Sequence, residues 1–201
     1  MDEAVHLPDR WPLAGATDLR DALLAAYADP ARGYHDTRHL TEVLDRLDEL
    51  GGPATALPVV LAAWFHDAVY DGRPGAEDRS AAWAERDLPG AGVDAETVTE
   101  VARLVRLTEH HRPADGDVAG GLLSDADLAI LAAGDERYAS YVADVRREYA
   151  EVPDELFALG RAAVLRDLLD KPHLFHSPTA RARWEGRARA NLTHELAALT
   201  R

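Results

Sequence analysis

Residues 57–67 read LPVVLAAWFHD, an apolar run that ends in a histidine and an aspartate. This run is typical of a helix that is buried on most of its circumference. An imidazole and a carboxylate are costly to bury unless another group pairs with them. A divalent metal ion accepts both as ligands, so His66 and Asp67 predict a metal site at the end of this helix.

Other residues of metal-ligand type lie near predicted helix ends, namely His35, His39, His110, His111, Asp125 and Asp127. His35 and His39 are four residues apart, which places them on one face where a second helix begins after Asp36, its predicted N-cap. Each of the others also has a simpler interpretation. A histidine at a helix end commonly caps it or faces solvent, and acids at a helix start commonly cap it without any metal.

Helical periodicity dominates the chain, and no segment shows a convincing strand pattern. Helices are predicted at about 17–28, 37–50, 57–66, 76–88, 95–111, 125–133, 135–151, 154–170 and 178–199. In this assignment Arg112–Gly121 is a loop and Ser124 caps the sixth helix. We expect one all-α domain over 1–201, with a metal-site core at about 30–135 and C-terminal helices at about 135–200.

Composition excludes several classes of function. The chain has 22 Lys and Arg against 36 Asp and Glu, a net charge of −14, which disfavours nucleic acid polymers and anionic membranes as partners. The absence of cysteine rules out disulfides, thiolate metal sites and cysteine nucleophiles. A metal held by His, Asp or Glu fits Mn, Mg, Co, Ni, Fe or Zn. No signal peptide or membrane-length apolar run is evident, so we expect a cytoplasmic protein.

The order His39, His66-Asp67, Asp125 resembles the H…HD…D signature of the HD-domain superfamily of metal-dependent phosphohydrolases. Residues 34–39 are similar to the Tyr-His-Asn-x-x-His segment of the cyclic-nucleotide phosphodiesterases, with Asp36 in place of the asparagine. The likeness to a bacterial family of predicted HD-superfamily phosphohydrolases extends over nearly the whole chain. It includes residues 34–39, 65–71, 77–78, 80–81, 108, 111, 125–128, 146–149, 161, 171–172, 185 and 188–192.

This resemblance implies a compact multi-helix HD fold and one divalent metal bound by His39, His66, Asp67 and Asp125. It also implies that Asp67 reaches a second metal or orients the attacking water. His35 would be the general acid for the leaving oxygen, or alternatively a group that orients a ligand or caps the helix.

The other candidates surround this set. His110 and His111 are candidates for a second metal or a substrate phosphate. Candidates for hydrogen bonds to the metal ligands are Glu77, Asp78 and Asp127. Candidates for phosphate binding, with a solvated surface as the alternative for each, are Arg38, Arg146, Arg161 and Lys171.

The function that these residues predict is metal-dependent hydrolysis of a phosphoester, of a nucleotide or another small phosphorylated molecule. One alternative is an HD-fold diiron oxygenase, since His110 and His111 lie between the HD pair and the last aspartate, where those enzymes carry extra histidines. Another is a non-catalytic module that binds a metal or a nucleotide. A homodimer through the C-terminal helices is compatible with the pattern, but no specific residue predicts it.

Overall fold

The computed structural model describes residues 6–52 and 55–200, and these contain nine α-helices and no β-strand. The helices are α1 Thr17–Tyr27, α2 Thr37–Gly51, α3 Leu57–Phe65, α4 Ala76–Asp87, α5 Ala95–Leu107, α6 Val118–Asp127, α7 Asp135–Glu148, α8 Asp154–Asp170 and α9 Pro178–Leu199. A 3-10 helix, Leu128–Ala132, follows α6 directly. The all-α prediction is confirmed. Within the described ranges, no helix combines the length and the apolar character needed to cross a membrane.

The helix starts follow the capping chemistry of the sequence at two of the predicted sites. The Asp36 side chain accepts hydrogen bonds from the backbone N–H groups of Arg38 and His39, and the Asp94 side chain accepts one from Thr97. Each cap satisfies backbone donors that have no partner in the first helical turn. The Asp36 cap fixes the first turn of α2, which carries His39.

The prediction for the sixth helix was wrong at its N-terminus. α6 begins at Val118, with Asp117 accepting from the backbone N–H of Gly120, so Ser124 lies inside the helix rather than at its cap. The paired glycines made this stretch resemble a loop, but a side chain at Gly121 would lie 3.1 Å from the Cβ of His176. Close packing therefore explains a glycine here. As a consequence, Asp125 and Asp127 lie near the C-terminal end of α6.

Two apolar clusters form the interior. The first is built from α1 to α6 and includes residues 61–65 of α3, none of which is exposed. The second is built from α7 to α9, the 3-10 helix and Tyr34. The ring of Tyr34 lies 4.6 Å from that of His39, between centroids, so the two clusters meet beside the predicted metal ligands.

Candidate metal centre

Four buried or nearly buried side chains converge at the C-terminal end of α3. The Nε2 atom of His39 lies 3.0 Å from His66 Nε2, 3.3 Å from Asp67 Oδ2 and 3.2 Å from Asp127 Oδ1. His66 Nε2 lies 3.0 Å from Asp67 Oδ2 and 3.7 Å from Asp127 Oδ1. Adjacent ligands of one ion with bonds of about 2.1 Å are about 3.0 to 3.4 Å apart, so this donor set fits a divalent metal.

The local fold sets the orientation of the His66 ring. His66 follows the last residue of α3, and its Nδ1 lies 2.8 Å from the carbonyl oxygen of Ala63. Because a carbonyl oxygen only accepts, Nδ1 carries a proton, and Nε2 is the nitrogen that faces the cluster. The hydroxyl of Tyr27 accepts from the backbone N–H of Asp67 at 3.2 Å and fixes the next residue as well.

Protons balance the charge of this cluster. Burial lowers the pKa of His39, but hydrogen bonds to Asp127 and Asp67 and their negative charges outweigh it and raise this pKa from 6.5 to about 10. Burial also lowers the pKa of His66, but the charges of Asp67 and Asp127 outweigh it and raise this pKa above its usual value. Burial raises the pKa of Asp127, while the His66 charge and the His39 hydrogen bond lower it overall. A bound cation would take the place of these protons.

Metal binding should therefore strengthen as the pH rises. Without an ion, the raised His39 pKa stabilises the fold fully below 6.5, and this contribution is lost as the pH rises through about 10. An ion binds only when His39 is neutral, so the increase in Tm caused by excess Mn²⁺ should grow between about pH 6 and about pH 8.5. Differential scanning fluorimetry with and without Mn²⁺ measures this increase. An increase that is constant or falls over this range would contradict proton competition at the site.

Asp127 occupies the place that the sequence predicted for Asp125. The carboxylate oxygens of Asp125 accept from the backbone N–H groups of His176 and Ser177 at 2.5 and 2.8 Å, and the residue is fully buried. Residues two apart on an α-helix point about 200° from each other, so only one of the pair can face the cluster. The structure therefore places Asp127, and not Asp125, beside the two imidazoles, and Asp125 instead joins α6 to the segment before α9.

The cluster opens onto a cavity of about 860 Å³. Asp67 and Asp127 line it at one end together with His35 and His111. The 3-10 helix after α6, α7 and α8 form much of the remaining wall. Because both carboxylates of the cluster line this space, a small molecule in the cavity would lie directly beside the cluster.

The two adjacent histidines of the α5 end have different environments. His111 Nε2 lies 3.6 Å from Asp127 Oδ2, and its buried Nδ1 has no hydrogen-bond partner among the described residues. Its backbone has a φ of 47°, and burial lowers its pKa to about 4. His110 also lines the cavity, but its side chain is 68 % exposed and lies beside Glu109. Of the pair, His111 is the one that contacts Asp127.

Some of the predicted hydrogen-bonding acids and phosphate-binding cations line the cavity, and the others lie away from it. Glu77 lines the cavity, whereas Asp78 forms a surface ion pair with Arg106. Two cations lie away from the cavity wall, where Arg38 pairs with Glu42 and Arg146 with Asp154. The other two line it. Arg161 binds Glu195 and the Tyr141 hydroxyl, and Lys171 donates to the carbonyl oxygen of His110 at 2.8 Å.

Glu148 of α7 is a site residue that sequence reasoning did not single out. Its Oε1 accepts from the backbone N–H groups of Gly33, Tyr34 and His35 at 2.8 to 3.0 Å, and its Oε2 lies 2.8 Å from His35 Nδ1. Burial raises its pKa, but the hydrogen bond and charge of His35 lower it overall. The His35 ring also stacks on Tyr70, with centroids 3.8 Å apart. Glu148 and Tyr70 therefore fix the His35 ring at the cavity.

Arg32 is a second residue that no sequence signal identified. Its buried guanidinium donates to the carbonyl oxygens of His35 at 2.8 Å, Asp67 at 2.7 Å and Ala68 at 2.9 Å. It also lies over the ring of Tyr27 at 5.0 Å. One planar cation therefore joins the loop before α2 to the segment after α3, the two segments that carry His35 and Asp67.

Substituting this arginine should cost stability even when the charge is kept. Arg32→Lys loses the planar fork and leaves buried carbonyl oxygens unpaired, so we expect about 2 kcal/mol less free energy of unfolding. The control Arg38→Lys changes an exposed pair with Glu42 and should stay within about 0.5 kcal/mol of the parent. Urea unfolding followed by circular dichroism measures both. Equal losses of unfolding free energy in the two variants would show that Arg32 does not stabilise the fold by joining these two segments.

Comparison with protein-family models, curated proteins and solved structures finds no match for the chain. The resemblance to the HD-domain superfamily thus depends on the motif residues alone and stays a prediction.

Proposed function

We propose that the protein is a metal-dependent phosphohydrolase that cleaves the phosphoester of a small molecule. The observation that carries the proposal is the convergence of two imidazole nitrogens and two carboxylates, with separations from either imidazole of 3.0 to 3.7 Å, at the end of a cavity. Histidine and carboxylate ligands beside a space for substrate are the pattern of a catalytic rather than a closed structural metal site.

His39, His66 and Asp127 would hold the ion, and their donor atoms lie within 4.8 Å of one another. A divalent ion there supplies Lewis acidity, which polarises a phosphoryl oxygen and makes water a stronger nucleophile near neutral pH. Asp67 contacts both imidazoles and also lines the cavity. Its carboxylate can therefore accept a hydrogen bond from water and orient it toward phosphorus.

His35 is the proton donor of the proposed reaction. Glu148 accepts the Nδ1–H of its ring, which leaves Nε2 as the nitrogen available to the cavity. Hydrolysis joins a water oxygen to phosphorus and breaks the bond from phosphorus to the ester oxygen, which then needs a proton. His35 can give that proton and recover one from the attacking water, so atoms and charge balance over the cycle.

A second candidate function is favoured by the position of His111. One oxygen of Asp127 contacts His39 and the other lies 3.6 Å from His111, which is a bridging arrangement that fits a second ion. Two irons in such a site would fit an HD-fold oxygenase. Metal analysis of the purified protein separates the two, because two irons per chain with oxygen consumption favour the oxygenase.

A panel of phosphoesters tests the proposal. The purified protein is stripped with a chelator, reloaded with Mn²⁺, Co²⁺, Mg²⁺ or Ni²⁺ and assayed for phosphate release, with Asp67→Asn as the control. We expect turnover with at least one ion and a loss of about 100-fold or more in the variant. Turnover that is absent for every ester and ion, or equal in the variant, would contradict the proposal.

A further inference from the structure

The cavity beside the cluster of His39, His66, Asp67 and Asp127 has a polar end and a more apolar remainder. The cluster carboxylates, His35 and His111 form the polar end. The wall beyond this end carries many apolar side chains of the 3-10 helix after α6, of α7 and of α8, including Leu131, Val145, Phe157 and Leu168, and α8 also contributes the charged Arg161 and Asp167. At about 860 Å³ the cavity has far more room than one phosphoryl group needs, since pockets of about 300 to 1,000 Å³ enclose whole organic ligands.

One face of α8 forms much of the apolar wall without being covered by the core. Leu156, Gly160 and Val164 recur every four residues, so they share a face of the helix. Leu156 is 60 % exposed and Val164 50 % exposed. A Cβ added at Gly160 would meet nothing within 4 Å, so this face borders open space. Contact between water and this apolar surface is unfavourable in free energy, and an apolar ligand bound there would remove that contact.

The charges along the cavity disfavour a ligand with several phosphates. Among the described residues that line it, five are acidic: Asp67, Glu77, Glu109, Asp127 and Asp167. The two basic residues are Arg161 and Lys171, and both already hold protein acceptors. In the described part of the chain, no free guanidinium fork lines the cavity to receive a second phosphate. A bound ion would therefore neutralise one phosphoryl group, and further anionic groups would meet carboxylates.

We propose that the substrate is a phosphate monoester of an apolar alcohol, whose carbon chain or ring lies along α8 while its phosphoryl group meets the ion. This inference depends on the proposed phosphohydrolase function and adds the substrate class to it. The hydrolysis products are inorganic phosphate and the free alcohol, with the elements of water divided between them.

A homologous series of n-alkyl phosphates, from methyl to octyl, tests the substrate class with the metal-loaded protein. The leaving alcohols beyond ethyl have nearly the same basicity, so differences along the series report contact with the wall. We expect kcat/KM to rise about threefold to fourfold per added methylene until the cavity is filled. A flat series, or faster turnover of nucleoside triphosphates than of octyl phosphate, would overturn the proposal.

Two glycine variants locate the effect. Gly160→Leu places a side chain into the open space beside α8 and should lower the octyl to ethyl ratio of kcat/KM by about tenfold or more. Gly186→Leu is the matched control, because Gly186 is an exposed glycine of α9 whose added Cβ also meets nothing within 4 Å, and it should leave the ratio unchanged. Equal effects of both variants would overturn the placement along α8.

Binding of alkylphosphonates separates this inference from the proposed function, because a phosphonate has no ester bond to cleave. If no ester is hydrolysed but calorimetry shows affinity for the metal-loaded protein rising with chain length, the ligand class stands and the hydrolase proposal fails. Affinity that does not change with chain length overturns the ligand class whatever the activity. A second copy covering α8 would also overturn it, and would appear in sedimentation as a dimer that Gly160→Leu disrupts.

Discussion

Asp127→Asn will bind a divalent ion at least about 100-fold more weakly than the parent protein, and the proposed phosphoester hydrolysis will fall with the occupancy. The substitution keeps the size of the side chain and removes the charge that lies 3.2 Å from His39 and 3.7 Å from His66. A neutral amide is a weaker ligand for a hard divalent ion than a carboxylate. Isothermal titration calorimetry with Mn²⁺ measures the change.

Asp125→Asn is the matched control for this experiment, two residues away on the same helix. Its carboxylate accepts hydrogen bonds from two backbone N–H groups and does not contact the imidazole of His39 or of His66. An amide there loses one charge-assisted acceptor, so we expect a loss of about 2 kcal/mol in the free energy of unfolding. Its metal affinity should stay within about threefold of the parent. The reverse pattern in the two variants would restore Asp125 as the ligand.

His35→Gln will lower kcat by about 10² to 10⁴-fold on an alkyl phosphate while metal affinity stays unchanged. The leaving alkoxide is strongly basic and needs a proton, and the ring of His35 is held at the cavity by Glu148 and Tyr70. A nitrophenyl phosphate releases a weakly basic oxygen, so its loss should be much smaller. Steady-state kinetics on the two esters gives both values.

An exposed histidine away from the cavity provides the control for His35. His194→Gln changes an exposed residue of α9 that does not line the cavity, and both esters should be hydrolysed at the parental rate. Equal losses for the two esters in His35→Gln would assign His35 a structural role. A loss of Mn²⁺ binding in that variant would do the same, because it would trace the effect to the ion rather than to the proton.

Local signals were enough to predict most of the fold. The apolar run before His66 could only be buried, and the structure places α3 in the first core cluster. Asp36 and Asp94 cap α2 and α5 as their types and positions predict. The N-terminus of α6 was missed, because the reason for Gly121 in a helix is the contact with His176, 55 positions later, which no local pattern contains.

Local patterns also predicted part of the candidate site, and they missed the part that depends on contacts between distant segments. His39, His66 and Asp67 carry a pattern of burial and spacing that a sequence displays. Asp125 and Asp127 could not be separated, because the rotation of α6 about its axis determines which of them lies beside the imidazoles. Glu148 and Arg32 act through backbone groups of distant segments, and backbone acceptors and donors are the same in every sequence.

Diffraction from crystals soaked in Mn²⁺, recorded at a wavelength where manganese scatters anomalously, tests the central claim most directly. We predict one anomalous peak about 2.1 Å from the Nε2 atoms of His39 and His66 and bounded by the carboxylates of Asp67 and Asp127. In the same map, Asp125 will remain hydrogen-bonded to the backbone N–H groups of His176 and Ser177. A peak ligated by Asp125, or no peak at saturating Mn²⁺, would contradict the proposed metal centre.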